Sequence, residues 1–232
     1  MFKRSFFDGK IISAAPAGTQ WWRHWDLAAT SKRTNPLAAR SAGVKLGRAP
    51  DGRFIVGHVI TEQQEGHELR KTIKATAELD TKQVKISLPQ DPGQAGKTQA
   101  QDLISLLAGY TAFAMPEIGD KVFRAEPFAA QCEAGNVYLV EGVWNQAYID
   151  ELCLFPGGHW KDQVDASSGA FGRLVGKRTG TVVGPIIATG PRPDTGGPVS
   201  ERPGGNPAPA AEPASPAQPN QPRQANPRIF IP

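Results

Sequence analysis

Four aspartates stand where the chain could bind a divalent cation: Asp26, Asp91, Asp162 and Asp165. Asp26 closes the segment Trp25-Asp26-Leu27-Ala28-Ala29-Thr30, whose small residues after the acid leave room for an ion, its waters and a phosphate. Asp91 follows the apolar run Val84 to Leu88 and precedes Pro92-Gly93. An acid at a strand's C-terminal end, before a loop and a helix, stands where open α/β sheets set their ligand sites. Asp162 and Asp165 open Trp160-Lys161-Asp162-Gln163-Val164-Asp165-Ala166, three apart, so both fit one helical face. Hard cations such as Mg²⁺ and Mn²⁺ prefer carboxylate and water oxygens. One or two such ions would suit these acids, and a pair about 3.5–4 Å apart meets both needs of phosphodiester hydrolysis, an activated water and a stabilised leaving alkoxide. Taken singly, each acid has a plainer use in a turn, a cap or a helix dipole. It is the set, two strand-end acids and one helix-borne acid, that points to a metal centre.

The segments that must position these acids alternate between strand and helix signals. Arg23 to Ala28 reads as the first strand. Ala39 to Arg48 and Arg53 to Ile60 read as a hairpin joined by Ala-Pro-Asp-Gly-Arg turn chemistry. Glu65 to Leu79 has Leu69, Ile73, Thr76 and Ala77 at helical spacing. A strand (Val84 to Leu88), two helices (Thr98 to Leu107, Val122 to Glu133), a strand (Val137 to Val140) and two further helices (Gln146 to Phe155, Lys161 to Val175) complete the series. Together they predict an α/β fold, a mixed sheet flanked by helices, over residues 1–177. From Arg178 to Pro232 the chain is dense in Pro, Gly and Ala and is expected to be largely disordered, because it has too few large apolar residues to offset its ordering entropy.

Composition excludes several classes. The 26 basic residues barely outnumber the 22 acidic ones, which permits nucleic-acid binding without arguing for it. Cys132 and Cys153 are the two cysteines, and they form no zinc motif or disulfide framework, so a reducing cytoplasm is the expected location. No apolar run is long enough for a membrane span. Gly96-Lys97-Thr98 matches the end of a phosphate-binding loop, but the first glycine of that pattern falls on Asp91, whose charge would repel phosphates. His24, His58, His67 and His159 show no metal-ligand spacing and read as structural or exposed. Lys97, Lys121 and Arg124 are candidates for DNA phosphate contacts. Trp21, Trp22 and Trp25 read as packing residues before stacking ones.

The ordered series of segments resembles the nuclease domain of phage terminase large subunits, over roughly residues 2–175. The resemblance is carried by Phe2-Lys3-Arg4, Trp25-Asp26, Asp91-Pro92-Gly93, Gly119-Asp120-Lys121 with Arg124-Ala125, Ala134-Gly135-Asn136-Val137, Phe155-Pro156, and Lys161 to Ala166. It implies a ribonuclease H-like fold and a Mg²⁺- or Mn²⁺-dependent endonuclease that cuts concatemeric viral double-stranded DNA during genome packaging in the host cytoplasm. Carried over by position, Asp26, Asp91 and Asp162 would be catalytic metal ligands. Many relatives open the last motif with two adjacent acids, whereas Lys161 precedes Asp162 here, so Asp165 is a substitute ligand and the metal count stays open. Relatives also carry an N-terminal ATPase motor, and none precedes Met1. The expectation is a fragment, a split gene product or a standalone nuclease subunit, with a motor, a small terminase subunit and a portal as partners. Two alternatives stay open: a non-catalytic packaging or scaffold module that docks a motor or portal through its tail, and another ribonuclease H-like enzyme such as a transposase or junction resolvase.

Overall fold

The computed structural model of the chain describes residues 1–28, 40–64, 66–116 and 119–176. The expected boundary after Lys177 and the Pro-rich tail lie outside the described residues. A 3-10 turn (Arg4–Phe7) leads into β1 (Ile11–Ile12), β2 (Gln20–Asp26), β3 (Ser41–Arg48), β4 (Phe54–Glu62), α1 (Gly66–Asp80), β5 (Lys85–Gln90) and α2 (Gln94–Leu106). Then follow β6 (Ala112–Pro116), α3 (Lys121–Glu133), β7 (Val137–Val140), α4 (Asn145–Leu154) and α5 (Asp162–Val175).

The strands form one mixed sheet in the order β1-β7-β4-β3-β2-β5-β6. Its centre is the antiparallel meander β2-β3-β4, whose β3–β4 turn closes as its chemistry requires, with Gly52 N donating to Ala49 O and Ala49 N to Arg53 O. Parallel strands extend both sides: β5 and β6 beyond β2, β7 and β1 beyond β4. Side chains alternate across a strand, and β3 uses this to send Ala42, Val44 and Leu46 into a core with Phe128, Tyr148, Leu152, Val164 and Phe171 of α3, α4 and α5. A second core holds Trp25, Ile86 and Leu88 of the sheet against α1 and α2. In α1 the buried residues Leu69, Ile73, Thr76 and Ala77 follow the helical period, as the sequence predicts. Among the described residues no helix is long and apolar enough to cross a membrane.

Three expectations are corrected. Asp26 ends the second strand rather than the first, because Ile11–Ile12 pairs with β7. The fifth strand runs on through Pro89 and Gln90, which pair with Met115 and Pro116 of β6, a strand that the sequence pattern does not predict. α2 begins at Gln94, four residues before the expected start at Thr98.

One polar cluster fastens the second layer. Arg23, almost wholly buried in β2, gives Nε and Nη2 to the two carboxylate oxygens of Asp80 at the end of α1, at 2.6 and 2.9 Å. Lys45 reaches the same carboxylate at 3.2 Å, and His58 Nδ1 lies 3.2 Å from Arg23 Nη2. An aspartate at a helix C-terminus opposes the dipole, and these two cations offset it.

Candidate metal centre

β2 and β5 run parallel with His24 opposite Ser87, so Asp26 and Asp91 emerge at the same edge of the sheet. Both line one cavity of about 100 Å³, with Leu27, Gln90 and Pro92. Asp91 is exposed and Asp26 half-buried. Gly96 lets α2 start against the Asp91 backbone, since a Cβ there would stand 2.3 Å from the Asp91 carbonyl oxygen.

On the opposite face α5 packs over β2 and β3, and Asp162 and Asp165 lie in its first turn, both buried. Asp120 caps α3 by accepting from the backbone N–H groups of Val122 and Phe123. That start puts Lys121 and Arg124 on one face three residues apart, and both turn to Asp165. Lys121 Nζ donates to its Oδ2, and Arg124 Nη2 to its Oδ1 at 3.1 Å. Burial alone would lower the Lys121 pKa, but the hydrogen bond to Asp165 and the charges of Asp165, Asp26 and Asp162 outweigh it and raise it. One ammonium therefore stands in the field of three of the four expected acids, and the fourth, Asp91, shares a cavity with Asp26. As the side chains stand, no three Asp, Glu, His or Cys groups among the described residues are gathered closely enough to hold an ion.

Asp162 is set by a network with no local signal in the sequence. Its Oδ2 accepts from Arg40 N at 3.3 Å and Nε at 3.5 Å, while Arg40 Nη2 donates to Glu151. Glu151 also accepts from Gln163 N and Nε2, both at 2.6 Å, and so ties α4 to the start of α5. The Arg40 guanidinium lies 4.3 Å over the Trp160 ring. Burial pushes the Glu151 pKa up, against the pull of Gln163 and Arg40. Glu151 could have been singled out as an acid on the apolar stripe of α4, beside Tyr148, Ile149 and Leu152.

The remaining candidates divide. His24 is buried, with Nδ1 2.6 Å from Ser87 Oγ, and α5 crosses its ring at Gly169. His159 is exposed against the edge of Trp160. Lys97 is exposed on α2 and does not line the Asp26–Asp91 cavity. Trp25 is core, while Trp21 and Trp22 are half-buried under Lys45 and Lys85. The acids offer oxygen donors only, which suits a hard divalent ion, and one of them, Asp165, already holds two cationic side chains.

A family model described as the terminase RNaseH-like domain matches residues 23–173. No curated protein sequence matches the chain. Among solved structures, the chain is similar to the large terminase nuclease from thermophilic phage G20c with bound zinc, at 14% identity and a TM-score of 0.50, covering 68% of this chain and 82% of that one. It is similar to the human cytomegalovirus terminase nuclease domain, manganese-soaked and inhibitor-bound, at 12% identity and 0.52, covering 73% and 93%. It also matches the large terminase of another thermophilic bacteriophage, in complex with ADP, at 11% and 0.53, covering 73% of this chain but only 43% of that protein. At these identities the structural likeness shows the fold, and it is the family match over most of the described sheet and helices that assigns the chain: it belongs to the terminase ribonuclease H-like domain family.

Proposed function

We propose that the chain is a metal-dependent endodeoxyribonuclease that cuts concatemeric viral DNA during packaging. The observation that carries this reading is the cavity that Asp26 and Asp91 share at one edge of the sheet, with Asp162 and Asp165 in the first turn of the helix that packs over the same strand. Relatives of the same fold were solved with bound zinc, with bound magnesium or after a manganese soak, which supports a divalent ion here. Asp26, Asp91 and Asp162 would hold it. A bound Mg²⁺ or Mn²⁺ supplies an activated water and charge stabilisation at the leaving oxygen.

The chain's own groups then have separate tasks. Asp165, with both oxygens engaged, holds Lys121 and Arg124, and those cations would orient the phosphate. Arg40, Glu151 and Gln163 fix the first turn of α5 and so the direction of Asp162. On this reading the activity belongs in the host cytoplasm, beside an ATPase motor, a small terminase subunit and a portal.

The test is plasmid DNA with purified protein in Mn²⁺ or Mg²⁺. The wild type nicks or linearises it, and Asp26→Asn, Asp91→Asn and Asp162→Asn each reduce cutting by at least about a hundredfold, since even outer-shell changes at metal sites cost about 10–100-fold. Cutting retained in all three variants removes the proposal. The engagement of Asp165 by two cations favours a second reading, a non-catalytic docking module. That reading expects no metal-dependent cutting by the wild type.

A further inference from the structure

α5 packs over one face of β2 and β3, where Gly169 meets His24, and past β2 that face continues onto β5 and β6. The register fixes which side chains it carries there. Lys85 stands beside Trp22, Ser87 beside His24 and Phe113 beside Ser87, with Met115 two residues further along β6. Residues two apart in a strand share a face. The other face of these strands is packed, since Ile86 and Leu88 lie in the core with α1 and α2. On the α5 side the large side chains Trp22, Phe113 and Met115 are only half-buried. The rings of Trp22 and Phe113 lie 5.6 Å apart across β5, and Lys85 stands over Trp22 at the rim. A hollow of about 220 Å³ separates α5 from the end of β6, with Gly172 on one side and Pro116 on the other. An apolar patch with a polar rim marks a docking surface.

The chain itself leads to this patch. α5 ends at Val175, the backbone at Gly176 is extended, and Gly172 and Arg173 already border the hollow. Beyond the described residues the sequence continues with Thr181-Val182-Val183-Gly184-Pro185-Ile186-Ile187, which holds four of the eight large apolar residues after Val175. From Gly176 to Val182 an extended chain reaches about 20 Å, against about 10 Å for the two strand spacings from β2 to β6. The other apolar run, Ile229-Phe230-Ile231, lies roughly nine times as far along the chain, which lowers its effective concentration at the patch about 25-fold at a −3/2 power of length. We propose that Val182, Val183 and Ile186 pack on Trp22, Phe113 and Met115, so that residues 182–186 supply over β5 and β6 the layer that α5 supplies over β2 and β3. Pro185 suits such a place, because it has no N–H to leave unpaired.

Hydrogen exchange of the full chain, read by mass spectrometry, tests this. Amides of residues 182–186 exchange at least about tenfold more slowly than those of residues 200–228, because protection follows the local opening free energy. The protection is the same at every protein concentration, and Phe113→Ser removes it. The double change Val183→Asp with Ile186→Asp alters no residue of the sheet or its helices. In that variant the amides of β6 exchange faster than in the wild type, and acrylamide quenches tryptophan fluorescence more. Equal exchange at residues 182–186 and 200–228 in the wild type overturns the proposal, as does protection that persists in a folded Phe113→Ser protein. Unchanged β6 exchange and quenching in the double variant overturn it too, whether or not Phe113→Ser folds. Protection that grows with concentration makes a second copy the occupant, and protection at residues 229–231 in place of 182–186 makes it the later run. Either of these results also overturns the proposal.

Discussion

At Gly169 a Cβ would stand 2.1 Å from His24 Cδ2 and 2.3 Å from Nε2, so α5 packs on β2 only because that position has no side chain. Three residues later the same helix meets open space at Gly172. The two glycines therefore respond oppositely to one methyl group. Gly172→Ala gains the helix propensity that glycine lacks and stabilises by about 0.5–1 kcal/mol. Gly169→Ala gains the same propensity but forces His24 or the helix aside, so it destabilises by a net ~1–3 kcal/mol, the usual cost of overpacking. Urea midpoints of the two variants check this, and a Gly169→Ala protein as stable as the wild type would mean that the helix does not press on His24. In the sequence both residues read alike, as small residues in an α5 pattern, because the atom that separates them belongs to His24. The same holds for Asp165. Its place in a first turn was legible, but its commitment to Lys121 and Arg124, more than 40 residues away in sequence, was not.

α1 is held at its C-terminal end by charge as well as by its apolar face. Burial alone would raise the Asp80 pKa, but the hydrogen bond and charge of Arg23, with Lys45, hold it below the ordinary carboxylate range. Its contribution to stability is complete above the unfolded carboxyl pKa and is lost as pH falls through the lower folded value. His58, facing Arg23, Lys45 and Asp80, is lowered first by burial and then by the Arg23 charge. The folded protein resists protonating it, so stability declines once pH drops below the unfolded imidazole value of about 6.5. Both losses fall on the acid side, the imidazole's near pH 6 and the carboxylate's below about pH 4. The urea midpoint of the wild type should drop between pH 7 and pH 5, and His58→Gln should show a smaller drop there while keeping the loss below pH 4. A constant difference between the two proteins from pH 7 to pH 5 would take His58 out of this mechanism. At pH 7, Asp80→Ala leaves Arg23 buried beside Lys45 without its carboxylate and costs about 3–5 kcal/mol. The periodicity of α1 was readable almost to its last residue, because Leu69, Ile73 and Ala77 repeat locally. β6 was not, because Ala112-Phe113-Ala114-Met115-Pro116 has no β-branched residue and becomes a strand only through the edge that β5 presents.

The sheet as a whole decides which acids meet. Alternating strand and helix signals, with one hairpin of unmistakable turn chemistry, were enough to read a mixed sheet. The insertion of β7 between β1 and β4 was not readable, because it depends on pairing between distant segments, with Leu139 N and Glu141 N donating to Lys10 O and Ile12 O. The parallel placement of β5 beside β2 brings Asp26 and Asp91 to the same edge of the sheet, and α5 returns over β2 and β3 with Asp162 and Asp165 in its first turn. An unfolded chain holds these acids far apart, so an ion that binds them binds the folded state and stabilises it by mass action, about 2.7 kcal/mol at a concentration a hundred times its Kd. On the proposed reading, an ion held by these carboxylates would take over part of what the Lys121 ammonium, bonded to Asp165, supplies. Mn²⁺ should therefore raise the unfolding midpoint of the wild type, and Asp26→Asn should abolish most of that rise. Lys121→Met should be less stable than the wild type in EDTA and should gain more from Mn²⁺, because the acids lose their resident cation. Equal Mn²⁺ responses in the wild type, Asp26→Asn and Lys121→Met, read by calorimetry, would mean that the ion binds elsewhere and that Lys121 does not stand at a metal site.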